Sequence, residues 1–202
     1  MNTQTHILIA AALLAKNGKT HRRRNTAILL GALVPDILIF IMAGAAFSQN
    51  VTQQELWGVW YFQPPWQTWI DAFNSIPIYS LLLITGLFLL KNSKKKATYL
   101  ILFTTAALLH IGGDLPLHVD DGHAHFWPFN QWRYESSVSY WDPAHSGNLF
   151  GMLEALLGIA LSTLLWKRFK NKPDAAVIRS TLLLFVALYA LVPIYFFLTF
   201  NQ

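Results

Sequence analysis

The chain has 202 residues, no cysteine, a formal net charge of +5, and 54% hydrophobic against 12% charged residues. That balance excludes an ordinary soluble domain, in which about 25% of residues are charged, and the lack of cysteine excludes disulfides and thiolate metal centres. The positive charge is gathered between apolar stretches with Phe169 as its one interleaved aromatic residue, which excludes a nucleic-acid surface.

Apolar runs succeed one another along the chain. Residues 6–15 form the weakest, too short to cross a bilayer straight unless residues 1–5 are drawn in, so a partial or re-entrant helix is expected. It does not read as a signal peptide, because Lys16, Lys19 and Arg22–Arg24 follow it instead of preceding it and no small-x-small cleavage site is present. Residues 26–47 have spanning length and carry Pro35 and Asp36 near their middle. Residues 48–68 are rich in aromatic side chains that favour the headgroup region, and Pro64-Pro65 divides them into a short helix and a turn. A run at 69–90 is kinked by Pro77, and one at 97–119 holds His110 and Asp114 before Pro116 ends its helix near Leu115. Residues 119–148 are too long for a simple connector. Runs at 149–166, with Glu154, and 177–200 complete the chain.

Basic residues lie in alternate gaps. Lys16, Lys19 and Arg22–Arg24 follow the first run, Lys91 and Lys94–Lys96 the third, and Lys167, Arg168, Lys170, Lys172 and Arg179 flank the gap before the last; only Arg133 lies elsewhere. This is the positive-inside pattern of six crossings with both termini outside the cytoplasm, in a membrane of the bacterial cytoplasmic (inner) type. Contact of the basic loops with anionic lipid is compatible with it. The outer side then receives the histidines other than His21 and seven of the eight tryptophans, so chemistry is expected there. The expected architecture is a single all-α domain over residues 1–202, a polytopic bundle of about six hydrophobic helical segments with outer loops 48–68 and 119–148.

His110 and Asp114 are four residues apart, which stacks them on one helix face, close enough to share one ion or for Asp114 to orient His110. Imidazole and carboxylate without thiol suit zinc or another divalent metal. Asp36 at membrane depth needs a metal, a histidine or a polar cavity beside it, and His6 lies on the side to join it. In the outer loop, His123 and His125 alternate, so an extended segment would point both to one side as ligands. His118, Asp121 and His145 are candidates for proton transfer. Arg133 suits a bidentate clamp on phosphate, or else a surface ion pair with Glu135 or Asp142.

Several of these residues resemble a known family, the membrane-bound metal-dependent hydrolases related to the LexA-binding inner-membrane hydrolase-like proteins. Thr5-His6 opening an apolar run, Leu33-Val34-Pro35-Asp36, His110-x-x-x-Asp114, and Phe126-Trp127-Pro128-Phe129 with Trp132-Arg133-Tyr134 occur in the family's order. That family is similar to zinc-dependent phospholipase C and related nucleases, all-helical enzymes in which His-x-x-x-Asp on a helix supplies zinc ligands. The resemblance implies a phospholipase C-like metal core with His6, Asp36, His110 and Asp114 as ligands. The chain departs from the pattern at Leu38, where the family has a second Asp, and at Asn74-Ser75-Ile76-Pro77, where it has His-Arg and Thr-His-Ser. His118, Asp121, His123, His125, Asp142 and His145 are the expected substitutes.

The sequence therefore predicts a membrane-embedded hydrolase of a phosphate ester or lipid-type ester at the outer face of the cytoplasmic membrane. One or more Zn²⁺ or similar ions are expected on His6, Asp36, His110, Asp114, His123 and His125. His118, Asp121 and His145 are the expected catalytic groups, and Arg133 and Trp127 are expected to bind substrate. The expected partners are membrane lipids and a lipid or phosphate-ester substrate, with no nucleic acid. Two other classes stay open: a divalent-metal or proton-coupled transporter, for which few polar residues beyond Thr104 and Thr105 continue inward, and a noncatalytic membrane scaffold docking a partner through its aromatic loop.

Overall fold

The computed structural model describes residues 1–169 and 181–191, and every regular element among them is helical. In chain order these are α1 (Thr3–Leu14), α2 (Arg22–Leu33), α3 (Ile37–Ser48), a single turn α4 (Gln53–Glu55), α5 (Pro64–Phe73), α6 (Ile76–Leu89), α7 (Lys94–Asp114), α8 (Gly147–Phe169) and α9 (Thr181–Leu191). Four segments are long and apolar enough to cross a membrane: Arg22–Ser48, Pro64–Leu89, Lys94–Leu117 and Gly147–Phe169. Some of their large side chains face outward, with Phe40, Leu81, Phe88 and Leu156 more than half exposed, while Ile28, Met42, Ile70 and Ile111 are buried beside Ala32, Ala106 and Ala107. Small residues at the helix contacts and exposed apolar side chains outside them are what helices packed in lipid present.

Of the six predicted runs, the first is short of a span, as its partial or re-entrant reading expects, and the last is described only over Thr181–Leu191. α1 holds 12 residues, a rise of ~18 Å against a hydrocarbon core about 30 Å thick, and its first turn is tied into a polar site by Thr3, Thr5 and His6. α9 is also a shorter apolar helix. Lys170, Lys172, Asp174 and Arg179, and the parts of the last predicted run outside Thr181–Leu191, lie outside the described residues.

Prolines shape the frame. Pro35 lacks the N–H that would continue the helix, so α2 and α3 are joined by a tight turn over Val34–Asp36. Carbonyls left without helical partners there are taken by side chains: His110 Nδ1 lies 2.7 Å from Ala32 O, and Asn74 Nδ2 donates to Pro35 O at 3.1 Å. Buried carbonyls need partners of this kind. Pro77 lies in the first turn of α6, a position that tolerates its missing N–H, and the break falls at Asn74-Ser75 instead of at the proline. Pro116 ends α7 at Asp114, as its sequence position predicts.

α7 packs against α2 and α6, and α1 lies against α2 and α8. The closest approach is at Gly31 of α2, where an added Cβ would collide with the Phe103 carbonyl and lie 3.0 Å from Ala106 Cβ. Gly31→Ala should therefore destabilise the bundle by about 1–3 kcal/mol, the usual range for overpacking against backbone. Thermal unfolding followed by the helical circular-dichroism signal in detergent checks this; an unchanged midpoint would mean that the two helices can separate freely.

The 119–148 segment folds back over the helix ends. Ser136 N donates to His118 O at 2.9 Å, Ser75 Oγ to Trp127 O at 2.6 Å, and Ile76 N to His125 O at 2.8 Å. Arg133 grips buried Asp71 of α5 with both guanidinium nitrogens, at 3.0 and 2.6 Å, and also donates to Gly122 O at 2.6 Å. Asp71 Oδ1 accepts the Ala124 N–H at 2.9 Å as well. The segment carrying His123 is thus bolted to the bundle from both sides.

Candidate metal centre

His110 is the best defined member of the site. A carbonyl can only accept, so the 2.7 Å contact with Ala32 O requires the proton on Nδ1. Nε2 then presents a lone pair when the ring is neutral, and it faces Asp114 Oδ2 at 3.1 Å and Asp36 Oδ1 at 3.4 Å. An acceptor buried against two carboxylates requires a cation or a proton between them. The carbonyl bond behind the ring is the arrangement that orients metal-ligating histidines.

His6 arrives from α1. Its ring stacks on His110 with centroids 3.6 Å apart and planes 13° from parallel, and its Nε2 lies 2.9 Å from Asp114 Oδ1. Ligand atoms from His6, His110 and Asp114 all fall within 4.8 Å of one another, and all three residues are buried. Tetrahedral zinc with bonds of about 2.0–2.1 Å needs ligand atoms roughly 3.3 Å apart; contacts of 2.9, 3.1 and 3.4 Å lie near that spacing, the first two on different oxygens of Asp114. Asp36 fits as a fourth donor, with Thr3 Oγ1 donating to its other oxygen at 2.5 Å. The Met1 α-amino group lies on Asp114 Oδ1, so one cation already touches this carboxylate. It leaves the lone pair of His110 facing Asp36. Two imidazoles, two carboxylates and an unpartnered Nε2 match the donor set of a zinc-class ion.

An outer layer adjoins this floor. His118 bridges carboxylates, with Nε2 3.6 Å from Asp114 Oδ1 and Nδ1 3.0 Å from Asp121 Oδ1. Burial lowers its pKa, but the two carboxylates outweigh burial and hold it up at about 9. Asp121 stays below the usual carboxylate range despite burial, through His118 and a 3.0 Å bond from Trp141 Nε1. His123 is pushed down to about 3 by burial, with His118 and His125 adding to the shift, and its buried Nδ1 has no hydrogen-bond partner. His125 lies against Asn74 O through Nδ1 at 3.1 Å. Its N–H also bonds to His123 O at 3.0 Å. This three-residue turn replaces the extended alternation that the sequence predicts. The rings of His118 and His123 are 5.5 Å apart, and those of His123 and His125 are 5.7 Å apart.

A cavity of about 490 Å³ opens onto the cluster, reaching Asp36, Asp114, His118, Asp121 and His123. Its opposite wall is aromatic, built from Phe40, Trp57, Tyr61, Phe62, Tyr140 and Trp141. Tyr61 also donates to Asp121 O at 2.7 Å, so the 48–68 loop shapes the pocket.

The structure separates the sequence-predicted residues into two groups. His6, Asp36, His110, Asp114, His118, Asp121 and His123 come together, and His125 stands behind them. His145 pairs with Asp142 at 2.5 Å and is 43% exposed, away from the cavity lining. Arg133 is committed to Asp71 and Gly122, not to Glu135 or Asp142, and Trp127 serves the frame through its carbonyl. Neither residue lines the cavity. Sequence reasoning gave no role to Asn74, Asp71, Thr3 or Glu154. Asn74 and Ser75, at the position where the resembled family has histidines, are fully buried and hold backbone carbonyls. The available signal was a polar residue inside or at the edge of an apolar run. Compared with family models, with curated proteins and with solved structures, the chain matches none.

Proposed function

We propose that this chain is a membrane-embedded, metal-dependent hydrolase of a phosphate ester or lipid-type ester, working on the side opposite the basic loops. One observation carries the reading: the His110 tautomer, fixed by Ala32 O, aims a buried Nε2 lone pair at Asp36 and Asp114 with His6 stacked beside it. The proposal includes the membership suggested by the sequence motifs, a phospholipase C-like arrangement of ligands, zinc as the ion, and the bacterial cytoplasmic membrane as location. α1 and the chain after residue 177 would enter the bilayer beside the four long segments. His6, His110, Asp114 and Asp36 would hold the ion. Bound there, a divalent cation supplies Lewis acidity and a water nucleophile at neutral pH.

This chain's own groups do the rest. His118, placed between Asp114 and Asp121 and lining the cavity, is the group that gives or takes a proton at Nε2, with Asp121 fixing its ring through Nδ1. Trp57, Tyr61, Phe62 and Trp141 exclude water and offer an apolar wall to an amphiphilic substrate. Counting ~1.5 Å per residue from Arg22 to Asp36 and from Lys94 to His110 puts the floor roughly 21–24 Å from the basic helix ends. That depth suits a site reached from the far face. A carrier reading gains little, because Thr104 on the inward side bonds to its own helix carbonyls, Leu100 O and Ile101 O.

The test is hydrolysis of a chromogenic phosphodiester and a chromogenic acyl ester by purified protein in detergent. Turnover of one of them is expected with zinc, and its loss after chelation and in His118→Ala. Failure of the zinc-loaded protein to cleave either would contradict the hydrolase reading.

A further inference from the structure

α1 is the ligand-bearing helix that falls short of a span, and its own sequence does not cap it. Its N-cap residue, Asn2, makes no side-chain cap bond and its first turn holds no acidic residue. The acceptor comes instead from the middle of α8. Glu154 Oε1 accepts the Asn2 backbone N–H at 2.7 Å and the Thr5 hydroxyl at 2.5 Å, and Oε2 accepts Asn2 Nδ2 at 3.0 Å. Glu154 is 5% exposed and every partner is a donor, which a buried carboxylate requires. It also lies at the positive end of the α1 dipole.

Because Thr5 gives its proton to Glu154, the 2.5 Å contact between Thr5 Oγ1 and the Tyr189 hydroxyl has tyrosine as donor. Three helices thus meet on one threonine. Gly158, one turn beyond Glu154, makes room for that tyrosine, since a Cβ there would lie 2.5 Å from Tyr189 Cδ2 and 2.6 Å from Cζ. The next residue after Thr5 is His6, whose ring stacks on His110.

We propose that Glu154 is a positioning residue for His6, reaching the metal centre through Asn2 and Thr5 without touching an ion. The proposal rests on the metal-site reading above, and its test separates the two. Purified full-length protein in detergent is titrated with Co²⁺ and followed by visible absorption. The variants are Glu154→Ala, Thr5→Val, His6→Ala, the double variant Glu154→Ala/His6→Ala, and Leu165→Ala as a packing control elsewhere on α8. Glu154→Ala should weaken Co²⁺ binding about 10–100-fold, the usual cost of losing a group that orients a ligand, and change the spectrum in the way His6→Ala does. The double variant should bind within about twofold of His6→Ala, because both act through one ligand. Leu165→Ala should lower the unfolding temperature and leave the spectrum alone.

A metal-free arm measures carbethoxylation of His6 by mass spectrometry. His6 should be protected in the unsubstituted chain and Leu165→Ala, and reactive in Glu154→Ala and Thr5→Val. Thr5→Val cuts the link while keeping the Glu154 contact to Asn2, so it serves if Glu154→Ala does not fold. If the unsubstituted chain binds no Co²⁺, the metal-site reading falls and carbethoxylation alone decides the positioning role. Unchanged His6 protection in both variants, or Co²⁺ losses that multiply in the double variant, would overturn the proposal.

Discussion

Replacing His110 with alanine is expected to lower zinc affinity by more than about 100-fold, beyond the 10–100-fold typical for groups that merely orient a ligand, and to remove turnover with it. The change deletes the one nitrogen whose lone pair faces both Asp36 and Asp114. It also strips the Ala32 carbonyl of its partner at the Pro35 break, an unsatisfied buried acceptor worth about 1–3 kcal/mol. Metal content after dialysis and thermal unfolding of the metal-free protein separate these effects. Because the four carboxylate and imidazole groups crowd together, the metal-free protein should tolerate loss of His6 better than loss of His110, which serves the frame as well as the site. A His110→Ala protein that retains stoichiometric zinc would remove His110 from the centre.

Breaking the buried Asp71–Arg133 pair should be the most destabilising single change outside that centre. Asp71 is 1% exposed and receives three donors, two from Arg133 and one from the Ala124 backbone. Removing one partner of a buried pair costs about 3–5 kcal/mol, because the other charge is left without compensation. In Asp71→Ala the lost Ala124 bond also frees the segment bearing His123 and His125. Arg133→Ala should cost more, because it leaves the 1%-exposed Asp71 carboxylate with the Ala124 N–H alone, whereas Asp71→Ala leaves a guanidinium that is 30% exposed and keeps Gly122 O. Denaturant or thermal unfolding of both variants checks the order. A clamp on substrate phosphate would give the opposite pattern for Arg133→Ala, a raised KM at unchanged stability.

The sequence was legible where a single physical rule dominates. His110 and Asp114 share a face because helices repeat every 3.6 residues, and Asp36 declared itself through the cost of a carboxylate in an apolar run. Pro116 stopped α7 where a missing N–H predicts. Of the six expected crossings, four are spanning segments among the described residues, and α1 is short as the partial or re-entrant reading of its run expects. Hydropathy counts residues, whereas α1 forfeits length to a polar first turn that a site on other helices demands. Arg133 illustrates a different limit. Its fork engages a carboxylate where the sequence offered a phosphate clamp or a pair with Glu135 or Asp142, because its partner Asp71 lies 62 residues away on another helix and no local pattern announces such a pair. Likewise His145 and His118 look alike in sequence. Only the fold sends His118 to Asp114 and leaves His145 with Asp142.

X-ray absorption at the zinc edge on protein purified without chelators tests the central claim most directly. The expected spectrum has nitrogen and oxygen neighbours at about 2.0–2.1 Å, imidazole scattering from two rings, no sulfur shell, and loss of this signature in His110→Ala. Protein that holds no zinc-class metal, or zinc whose imidazole scattering persists without both His6 and His110, would contradict it.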